Sequence, residues 1–215
     1  MEFTAFLFDL DGTLLNTLPD LVALTNMVLE EHGMPLRTSD EVNSFVGSGA
    51  RMLLKRAAAP DTSDEELDGI LARWKELYPE HGHKYTKPYD GMPETLMDLK
   101  RHGAKLGVLS NKFDAATQDV IGRHFPGVFD MVRGECAEIP RKPDPTGLLY
   151  MADELGVKPG DVAYVGDSGS DMTVALAAGA CPIGVSWGYR SVDVLRAAGA
   201  ARIIDHPHQL VFLGM

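Results

Sequence analysis

Cysteine is scarce in this chain of 215 residues, which contains only Cys136 and Cys181. Two cysteines cannot build the disulfide network on which small secreted domains depend. We therefore expect both side chains to be small buried hydrophobic groups of a protein in a reducing cytosol.

Long apolar runs and a basic leader segment are also missing. No stretch approaches the ~18 apolar residues that a membrane-spanning helix needs. Residues 1–4 carry no basic side chain before a strand-like run begins, so no signal peptide is expected. These absences predict a soluble, cytoplasmic protein.

Basic residues are outnumbered, because 20 Lys and Arg stand against 31 Asp and Glu and give a formal net charge of −11. This balance argues against nucleic acid and anionic membranes as partners, since both attract Lys and Arg. It leaves a phosphorylated small molecule possible, because one metal ion and a few local cations can reverse the field inside a cleft. The 45% hydrophobic content is typical of a globular chain with a buried core.

Short apolar runs alternate with helical patterns through most of the sequence. The runs lie at 3–10, 106–109, 162–165, 183–185 and 202–204, and the helical patterns at 93–102, 114–124, 145–155 and 170–178. Asp114 is the expected N-cap of the second of these helices. Continuous apolar strands between such helices predict an α/β fold, a Rossmann-like parallel sheet with helices on both faces.

Residues 16–85 interrupt the alternation with helical patterns only. These lie at 19–31, 39–45, 49–58 and 63–78; Ser39 and Asp40 are start signals, and Ser63 with Glu66 forms a candidate capping box. Four helices exceed what a single crossover connection needs. We predict a small all-helical domain at 16–85, inserted after the first strand of a core formed by 1–15 and 86–215.

Two carboxylates, Asp9 and Asp11, end the first predicted strand. If the strand continues to Asp11, both point to one face, at the edge where open α/β sheets bind ligands. Two close carboxylates repel unless a cation holds them, which indicates a metal site or a nucleophile beside a general acid. Gly12 frees the backbone, and Thr13 can offer its hydroxyl and N–H to an anion. The alternative is an ordinary polar Asp-Gly turn.

Three further polar segments follow later strands. Ser110 and Asn111 offer phosphate donors, and Lys142 is a cation stiffened by Pro143 and Pro145. The third segment adds a second carboxylate pair, Asp167 and Asp171. Taken singly, each has a plain structural interpretation, such as a surface lysine or a helix N-cap. The carboxyl ends of parallel strands converge, however, so together they predict one site.

These segments resemble the motifs of the haloacid dehalogenase superfamily of phosphohydrolases, in its phosphoglycolate phosphatase-like branch. The matching segments are Asp9-Leu10-Asp11-Gly12-Thr13, Ser110-Asn111-Lys112, Arg141-Lys142-Pro143 and Gly166-Asp167-Ser168-Gly169-Ser170-Asp171. The resemblance covers essentially the whole chain and implies a Rossmann-like core with a helical cap inserted after the first motif.

The resemblance also implies a role for each motif residue. Asp9 is the nucleophile that becomes an aspartyl-phosphate, and Asp11 protonates the leaving oxygen and later activates water. Mg²⁺ is held by Asp9, Asp167 and the backbone carbonyl of Asp11. The phosphoryl oxygens are bound by the residues Thr13, Ser110, Asn111 and Lys142. Asp171 belongs to the outer part of the metal site or orients the lysine.

Position 11 bears on the reaction, because the dehalogenases of this superfamily lack an acid there. Thr13 favours a phosphatase over a sugar phosphomutase, which usually has Val at that position. The first candidate substrate is 2-phosphoglycolate. Open alternatives are a phosphatase of a sugar phosphate, nucleotide monophosphate or pyrophosphate, a phosphomutase, and a phospho-Asp signalling switch. The resemblance implies a small phosphorylated metabolite as partner and leaves monomer or homodimer open.

The loop at 46–51 is the expected specificity element of the cap, through Gly47, Ser48, Gly49 and Arg51. Arg51 either pairs with a substrate carboxylate or is an exposed residue at a helix start. Two histidine pairs, His81 with His83 and His206 with His208, admit a metal interpretation but suit solvated side chains better. The apolar tail 211–215 is expected to pack on the core.

Overall fold

A computed structural model describes residues 3–213 of the chain. Six strands form the main sheet: β1 (Ala5–Phe8), β4 (Lys105–Phe113), β5 (Met131–Glu135), β6 (Val162–Gly166), β7 (Cys181–Val185) and β8 (Arg202–Ile204). Their spatial order is β5–β4–β1–β6–β7–β8, and every neighbouring pair is parallel. The strand order reverses direction between β1 and β6, which is where such sheets bind ligands.

Helices cover both faces of this sheet. They are α5 (Met92–Arg101), α6 (Asp114–His124), α7 (Thr146–Glu154), α8 (Gly169–Ala178), α9 (Val192–Ala197) and α10 (Gln209–Leu213). Alternate residues of β1 point to opposite faces: Phe6 and Phe8 pack with α5, α6 and α10, and Ala5 and Leu7 pack with α7 and α8. Burial on both sides explains the continuous apolar runs. The predicted α/β class is confirmed.

The chain divides into two compact units. One joins the chain up to Leu15 with the chain from Pro88 onward, and the other is Asn16–Lys87. A short strand pair, β2 (Leu15–Asn16) with β3 (Lys87–Pro88), lies where the chain passes between them. The role of the helical segment as a cap stays a prediction. Residues 1, 2, 214 and 215 of the predicted core lie outside the described residues.

The second unit contains four helices, α1 (Leu18–Glu31), α2 (Ser39–Phe45), α3 (Ala50–Ala57) and α4 (Asp64–His81). Its buried side chains include Leu24, Leu54, Ile70 and Trp74. Asp20 of α1 is also buried, and its carboxylate accepts the N–H groups of Tyr85 and Thr86 at 2.6–3.0 Å and the Thr86 hydroxyl at 2.7 Å. One carboxylate thus ties the end of this unit to its beginning.

Two helix caps differ from prediction, although both helices begin at the predicted residue. Helix α2 is capped by Thr38, whose hydroxyl accepts the Glu41 N–H while the Glu41 carboxylate accepts the Thr38 N–H, so Ser39 is the first helical residue. Asp114 is likewise a first helical residue instead of an N-cap, because its Oδ1 accepts the Gly134 N–H at 2.7 Å. At α4, Ser63 accepts the Glu66 N–H at 3.2 Å, which is one half of the predicted capping box.

Strand lengths differ from prediction at two places. Strand β1 ends at Phe8 instead of continuing to Asp11, and β4 runs on to Phe113, past the predicted end at residue 109. Strand β5 was not predicted, because Met131-Val132-Arg133-Gly134-Glu135 has no apolar run. It lies at the sheet edge, where one neighbour leaves the strand partly exposed and polar residues are tolerated.

Three further predictions concern the two cysteines, the C-terminal tail and the absence of a membrane-spanning helix. Cys136 is exposed, contrary to the prediction of a buried thiol, and Cys181 is half-buried. In the predicted tail 211–215, Val211 is buried, Leu213 packs against the core and Phe212 is exposed, while residues 214 and 215 lie outside the described range. Among the described helices, none is long and apolar enough to cross a membrane.

Gly134 of β5 provides a test of close packing. A Cβ at this position would lie 2.5 Å from the carbonyl oxygen of Lys112 and 2.6 Å from the Cα of Asp114. Because both contacts are backbone atoms, we expect Gly134→Ala to lower the free energy of unfolding by about 1–3 kcal/mol. Urea denaturation measures this change.

Gly122 is the matched control. It lies in α6, where an added Cβ meets nothing within 4 Å. Gly122→Ala should raise the free energy of unfolding by up to about 1 kcal/mol, because alanine favours a helix interior. Equal effects of the two substitutions would contradict the packing interpretation.

Candidate active site

The polar residues of the first unit gather at the carboxyl ends of the central strands. Asp9 directly follows β1 and Asp167 directly follows β6, the two strands between which the strand order reverses. Asp9, Asp167 and Asp171 are buried and each offers an oxygen within 4.8 Å of the others. The sheet therefore brings together three carboxylates, as the spacing of the motifs predicts.

Lys142 supplies the positive charge inside this cluster. Its Nζ lies 2.8 Å from Asp9 Oδ1 and 2.7 Å from Asp171 Oδ1, and it donates to the Tyr164 hydroxyl at 2.9 Å. That hydroxyl in turn donates to the Leu109 carbonyl at 2.8 Å. The ammonium group is almost completely buried, so its position is set by these partners and not by solvent.

Asn111 fixes the backbone that carries this lysine. Its Oδ1 accepts the Lys142 N–H at 2.7 Å and its Nδ2 donates to the Lys142 carbonyl at 3.2 Å. Both ends of the amide are thus bound to one residue, so Asn111 holds the backbone of Lys142. The phosphate-binding role of Asn111 stays a prediction.

Asp171 has both carboxylate oxygens in use. Oδ1 accepts from Lys142, and Oδ2 accepts the N–H of Ser168 at 2.9 Å and its hydroxyl at 2.6 Å in the capping box that begins α8. Gly166 makes this arrangement possible, because a Cβ there would collide with the Asp171 side chain. Of the two roles considered for Asp171, these contacts favour orientation of the lysine.

Asp167 is held by a loop that sequence reasoning missed. The N–H of Tyr189 donates to Asp167 Oδ2 at 2.6 Å, and the Trp187 indole donates to the Thr13 carbonyl at 3.1 Å. A side chain on Gly188 would collide with Asp167. The available signal was Trp187-Gly188-Tyr189, one residue after the predicted strand at 183–185, a glycine and two aromatic residues at the same edge of the sheet.

Asp11 belongs to a second ion pair. After β1 the chain turns tightly, with Gly12 at a φ of +85° and its N–H donating to the Leu15 carbonyl at 2.9 Å. The Asp11 carboxylate accepts from Lys112 Nζ at 3.1 Å to Oδ1 and 3.3 Å to Oδ2. Asp9 and Asp11 therefore contact different lysines, which the prediction of one shared strand face did not anticipate.

Lys112 was not predicted to be a functional residue. Lys112 is buried. The sequence feature that could have indicated a functional role was its place in the Ser110-Asn111-Lys112 segment. Residues two apart share a face of a strand, and β4 extends through all three of these residues. Recognising Lys112 required knowing that the strand continues.

The remaining predicted phosphate ligands are buried at the same edge. Ser110 Oγ accepts the Lys112 N–H at 3.2 Å. The Thr13 hydroxyl donates to Asp167 Oδ1 at 3.4 Å, so it is directed toward a carboxylate. The phosphate-binding roles of Thr13 and Ser110 stay predictions.

Burial dominates the electrostatics of the cluster. It raises the pKa of Asp9 to about 7, with Asp171 and Asp11 adding to the rise and Lys142 opposing it. Burial also raises the pKa of Asp167 well above its usual range, with further increases from Asp171 and Asp9. Burial alone would lower the pKa of Lys142, but Asp171 and Asp9 hold it well above its ordinary value. The cluster carries more negative charge than one lysine compensates.

The donor set fits a hard divalent cation. Three carboxylates close together and raised pKa values for Asp9 and Asp167 are what a Mg²⁺ or similar ion would relieve. Asp171 accepts at 2.6–2.9 Å on both of its oxygens, whereas Asp167 Oδ1 accepts only the longer 3.4 Å contact from Thr13, so Asp9 and Asp167 are the better candidate ligands. Within residues 3–213 this is the one group of three or more His, Cys, Asp or Glu side chains that could share a metal ion, and it contains no histidine.

The predicted specificity residues lie in the second unit. Arg51 donates through Nε to Asp68 at 2.9 Å and through Nη2 to Asp64 at 3.0 Å, so its guanidinium pairs with two carboxylates of α4. Whether Arg51 also pairs with a substrate carboxylate stays a prediction. Between α2 and α3, the loop with Gly47, Ser48 and Gly49 is braced by Arg56, which donates to the Phe45 carbonyl at 2.9 Å.

The histidine pairs do not form metal clusters in the described structure. The rings of His83 and Tyr78 pack edge to face at 5.1 Å, and His81 lies 3.8 Å from Glu80. His208 Nδ1 lies 3.9 Å from Asp98 Oδ2. His206 likewise belongs to no such cluster.

Comparison of the sequence with known proteins finds a matching family and related proteins. The family model for a haloacid dehalogenase-like hydrolase matches residues 6–185. Phosphoglycolate phosphatase 1 of Pseudomonas aeruginosa PAO1 is 33% identical, over 95% of this chain and 77% of that protein. N-acetylmuramic acid 6-phosphate phosphatase of the same organism is 32% identical, over 98% of this chain and 94% of that protein.

A solved structure has the same fold. The crystal structure of a predicted phosphoglycolate phosphatase from Haemophilus somnus 129PT superposes with a TM-score of 0.93. It is 27% identical in sequence and the match covers 100% of this chain and 99% of that chain.

The raised pKa of Asp9 predicts a pH-dependent stability in the presence of a chelator. Between pH 4 and 7 the folded chain retains a proton on Asp9 that the unfolded chain has lost, so rising pH favours unfolding. Relative to Asp9→Asn, the wild type should lose on the order of 3 kcal/mol of unfolding free energy across this range. Urea denaturation at a series of pH values measures the difference.

Asp153 of α7 is exposed and supplies the control. The stability of Asp153→Asn should follow the wild-type pH profile. A difference between wild type and Asp9→Asn that stays constant or grows in favour of the wild type as pH rises would contradict the raised pKa.

Proposed function

This chain belongs to the haloacid dehalogenase-like hydrolase family, and on that premise we propose that it is a Mg²⁺-dependent phosphatase of a small phosphomonoester, acting through an aspartyl-phosphate on Asp9. The observation that carries the proposal is the pairing of Asp9 with Lys142 at 2.8 Å beside Asp167, while Asp11 is held apart by Lys112. Two carboxylates close in sequence thus have separate electrostatic partners and can serve as nucleophile and acid. Membership of a hydrolase family leaves no support for the signalling-switch alternative.

In the first step, a carboxylate oxygen of Asp9 attacks the phosphorus atom of the substrate. A bond forms between that oxygen and phosphorus, the bond from phosphorus to the leaving oxygen breaks, and Asp11 donates its proton to the leaving oxygen. The alcohol then departs and the phosphoryl group stays on Asp9.

In the second step, Asp11 acts in reverse. Its carboxylate removes a proton from water, the water oxygen attacks phosphorus, and the bond from Asp9 to phosphorus breaks. Inorganic phosphate is released, Asp9 regains its carboxylate and Asp11 again holds the proton for the next cycle.

Lys142 and Ser110 serve the phosphoryl group in this proposal. Lys142 compensates the charge of Asp9 before attack, and both side chains lie buried at the sheet edge where the phosphoryl oxygens would bind. Asn111 and Asp171 keep the lysine in place through its backbone and its ammonium group.

A divalent cation would be held by Asp9, Asp167 and the backbone carbonyl of Asp11. When bound, it would supply the positive charge that removes repulsion between the Asp9 carboxylate and a phosphate dianion. Mg²⁺ is proposed because the side-chain donors are hard carboxylate oxygens. Thr13 and Tyr189 would keep Asp167 oriented toward it.

The proposed substrate is a small phosphorylated metabolite, with 2-phosphoglycolate as the first candidate. It takes precedence because several curated relatives at 30–33% identity are named phosphoglycolate phosphatase. N-acetylmuramic acid 6-phosphate is the second candidate, because the phosphatase that bears its name matches almost as closely and over more of its own length. The helical unit, with Gly47, Ser48, Gly49 and Arg51, is proposed as the cap that chooses between them.

Substitution of the two acids tests the chemistry. In the presence of Mg²⁺, Asp9→Asn should abolish phosphate release, because no nucleophile remains. Asp11→Asn should lower kcat by about 10²–10⁴-fold, through slower phosphorylation and slower hydrolysis of the phosphoenzyme. Phosphate release and rapid-quench detection of the phosphoenzyme measure the two steps.

Asp153→Asn is again the control and should keep wild-type activity. Near-wild-type turnover of Asp9→Asn would remove Asp9 as nucleophile. Phosphoenzyme hydrolysis at an unchanged rate in Asp11→Asn would remove Asp11 as the base.

A panel of phosphomonoesters tests the substrate assignment. We expect the highest kcat/KM for 2-phosphoglycolate, by about tenfold or more over N-acetylmuramic acid 6-phosphate, nucleotide monophosphates and hexose phosphates. The activity should require Mg²⁺ and disappear with a chelator. A higher kcat/KM for N-acetylmuramic acid 6-phosphate would transfer the assignment to the second candidate.

A further inference from the structure

Lys112 takes part in neither of the two reaction steps described above, although it is buried at the same edge of the sheet and contacts Asp11. We infer that Lys112 is a positioning residue, which fixes the Asp11 carboxyl group in the orientation needed to protonate the leaving oxygen. This inference rests on the proposed function, in which Asp11 is the general acid, and it names Lys112 as the residue that orients that acid.

The contact between the two side chains supports orientation. One ammonium group reaches both oxygens of Asp11, at 3.1 and 3.3 Å, so rotation of the carboxylate about its Cβ–Cγ bond would break at least one of the contacts. The Lys112 side chain is only 4% exposed and that of Asp11 is 15% exposed. Solvent therefore competes little with the pair, and a buried lysine without its carboxylate would be unfavourable.

The backbone around Lys112 is held as firmly as its side chain. Its N–H donates to Ser110 Oγ at 3.2 Å and its carbonyl accepts the hydroxyl of buried Thr117 at 3.2 Å. Gly134 of β5 leaves space for that carbonyl. The pairing of β4 with β5 also shifts register between Leu109 and Phe113, the stretch that contains Lys112.

The irregular end of β4 therefore has a consequence for chemistry. A shift of register changes the direction in which side chains leave a strand. Here it accompanies a lysine that contacts Asp11, while Lys142 contacts Asp9 and Asp171. Nucleophile and acid are thus each oriented by a separate cation.

This role predicts a dependence on the leaving group. A well-placed general acid matters most when the leaving oxygen is strongly basic and least when it departs readily as an anion. Phenyl phosphate and 4-nitrophenyl phosphate are nearly equal in size, but nitrophenolate is the far better leaving group. For both esters, kcat/KM reports binding and phosphorylation of Asp9, the steps up to departure of the phenol.

The experiment compares Lys112→Met with wild type on these two esters in the presence of Mg²⁺. We expect kcat/KM for phenyl phosphate to fall at least tenfold more than kcat/KM for 4-nitrophenyl phosphate. Asp11→Asn should show the same selective loss, and adding Lys112→Met to it should cause little further selective loss, because the two residues act as one unit. Lys112→Arg, which keeps the cation, should restore part of the difference.

Lys105→Met is the matched control, because Lys105 begins the same strand and is exposed. It should leave both kcat/KM values unchanged. Equal loss on both esters in Lys112→Met would overturn the positioning role and leave a structural one. If Lys112→Met does not fold, Lys112→Gln is measured in its place, since its amide cannot contact both Asp11 oxygens as a cation does, and equal loss overturns the role there too.

Failure of the proposed function has a different signature. In that case the wild-type protein would release no phosphate from either ester with Mg²⁺ present. A wild type that hydrolyses both esters, combined with equal losses in the variant, would contradict the role of Lys112 alone.

Discussion

The organisation of the site depends on one buried ammonium group. Three carboxylates meet at the end of the sheet, and without a cation among them each would disfavour ionisation of the others. Lys142 contacts Asp9 and Asp171 directly, and its own charge is sustained by them. Two neighbours hold Lys142 in place. The Asn111 amide binds its backbone, and the Tyr164 hydroxyl accepts a hydrogen bond from its ammonium group. Rigid placement of charge of this type prepares a site for reaction before any substrate arrives.

The parallel sheet explains how residues far apart in sequence come to share these contacts. Each strand ends at the same edge, so each loop can supply one functional group. Asp9 and Asp167 come from the strands on either side of the point where the strand order reverses. Lys142 comes from the loop after the edge strand β5, and Tyr189 from the loop after β7. The close packing of the site also depends on glycine, because a Cβ added at Gly166 would collide with the Asp171 side chain.

The sequence predicted the α/β class and the motifs that carry the site, because buried parallel strands and polar strand ends leave local patterns. It did not predict which cation would pair with which carboxylate. The contact of Lys112 with Asp11 depends on the continuation of β4 past its apolar part. Strand β5 escaped prediction because an edge strand needs no continuous apolar run. The ion pairs of Arg51 also escaped prediction, because Asp64 and Asp68 lie more than ten residues away in sequence.

Asp20 has a consequence for how this architecture can be remodelled. Its carboxylate fastens Tyr85 and Thr86 to the first helix of the inserted unit, so the two ends of that segment are closed on each other by a group that the segment itself contains. A segment whose two ends lie together can be inserted into another protein at a single site, because that site needs to supply only two adjacent backbone ends. Exchange of the whole helical insert between relatives would therefore carry both partners of this closure together.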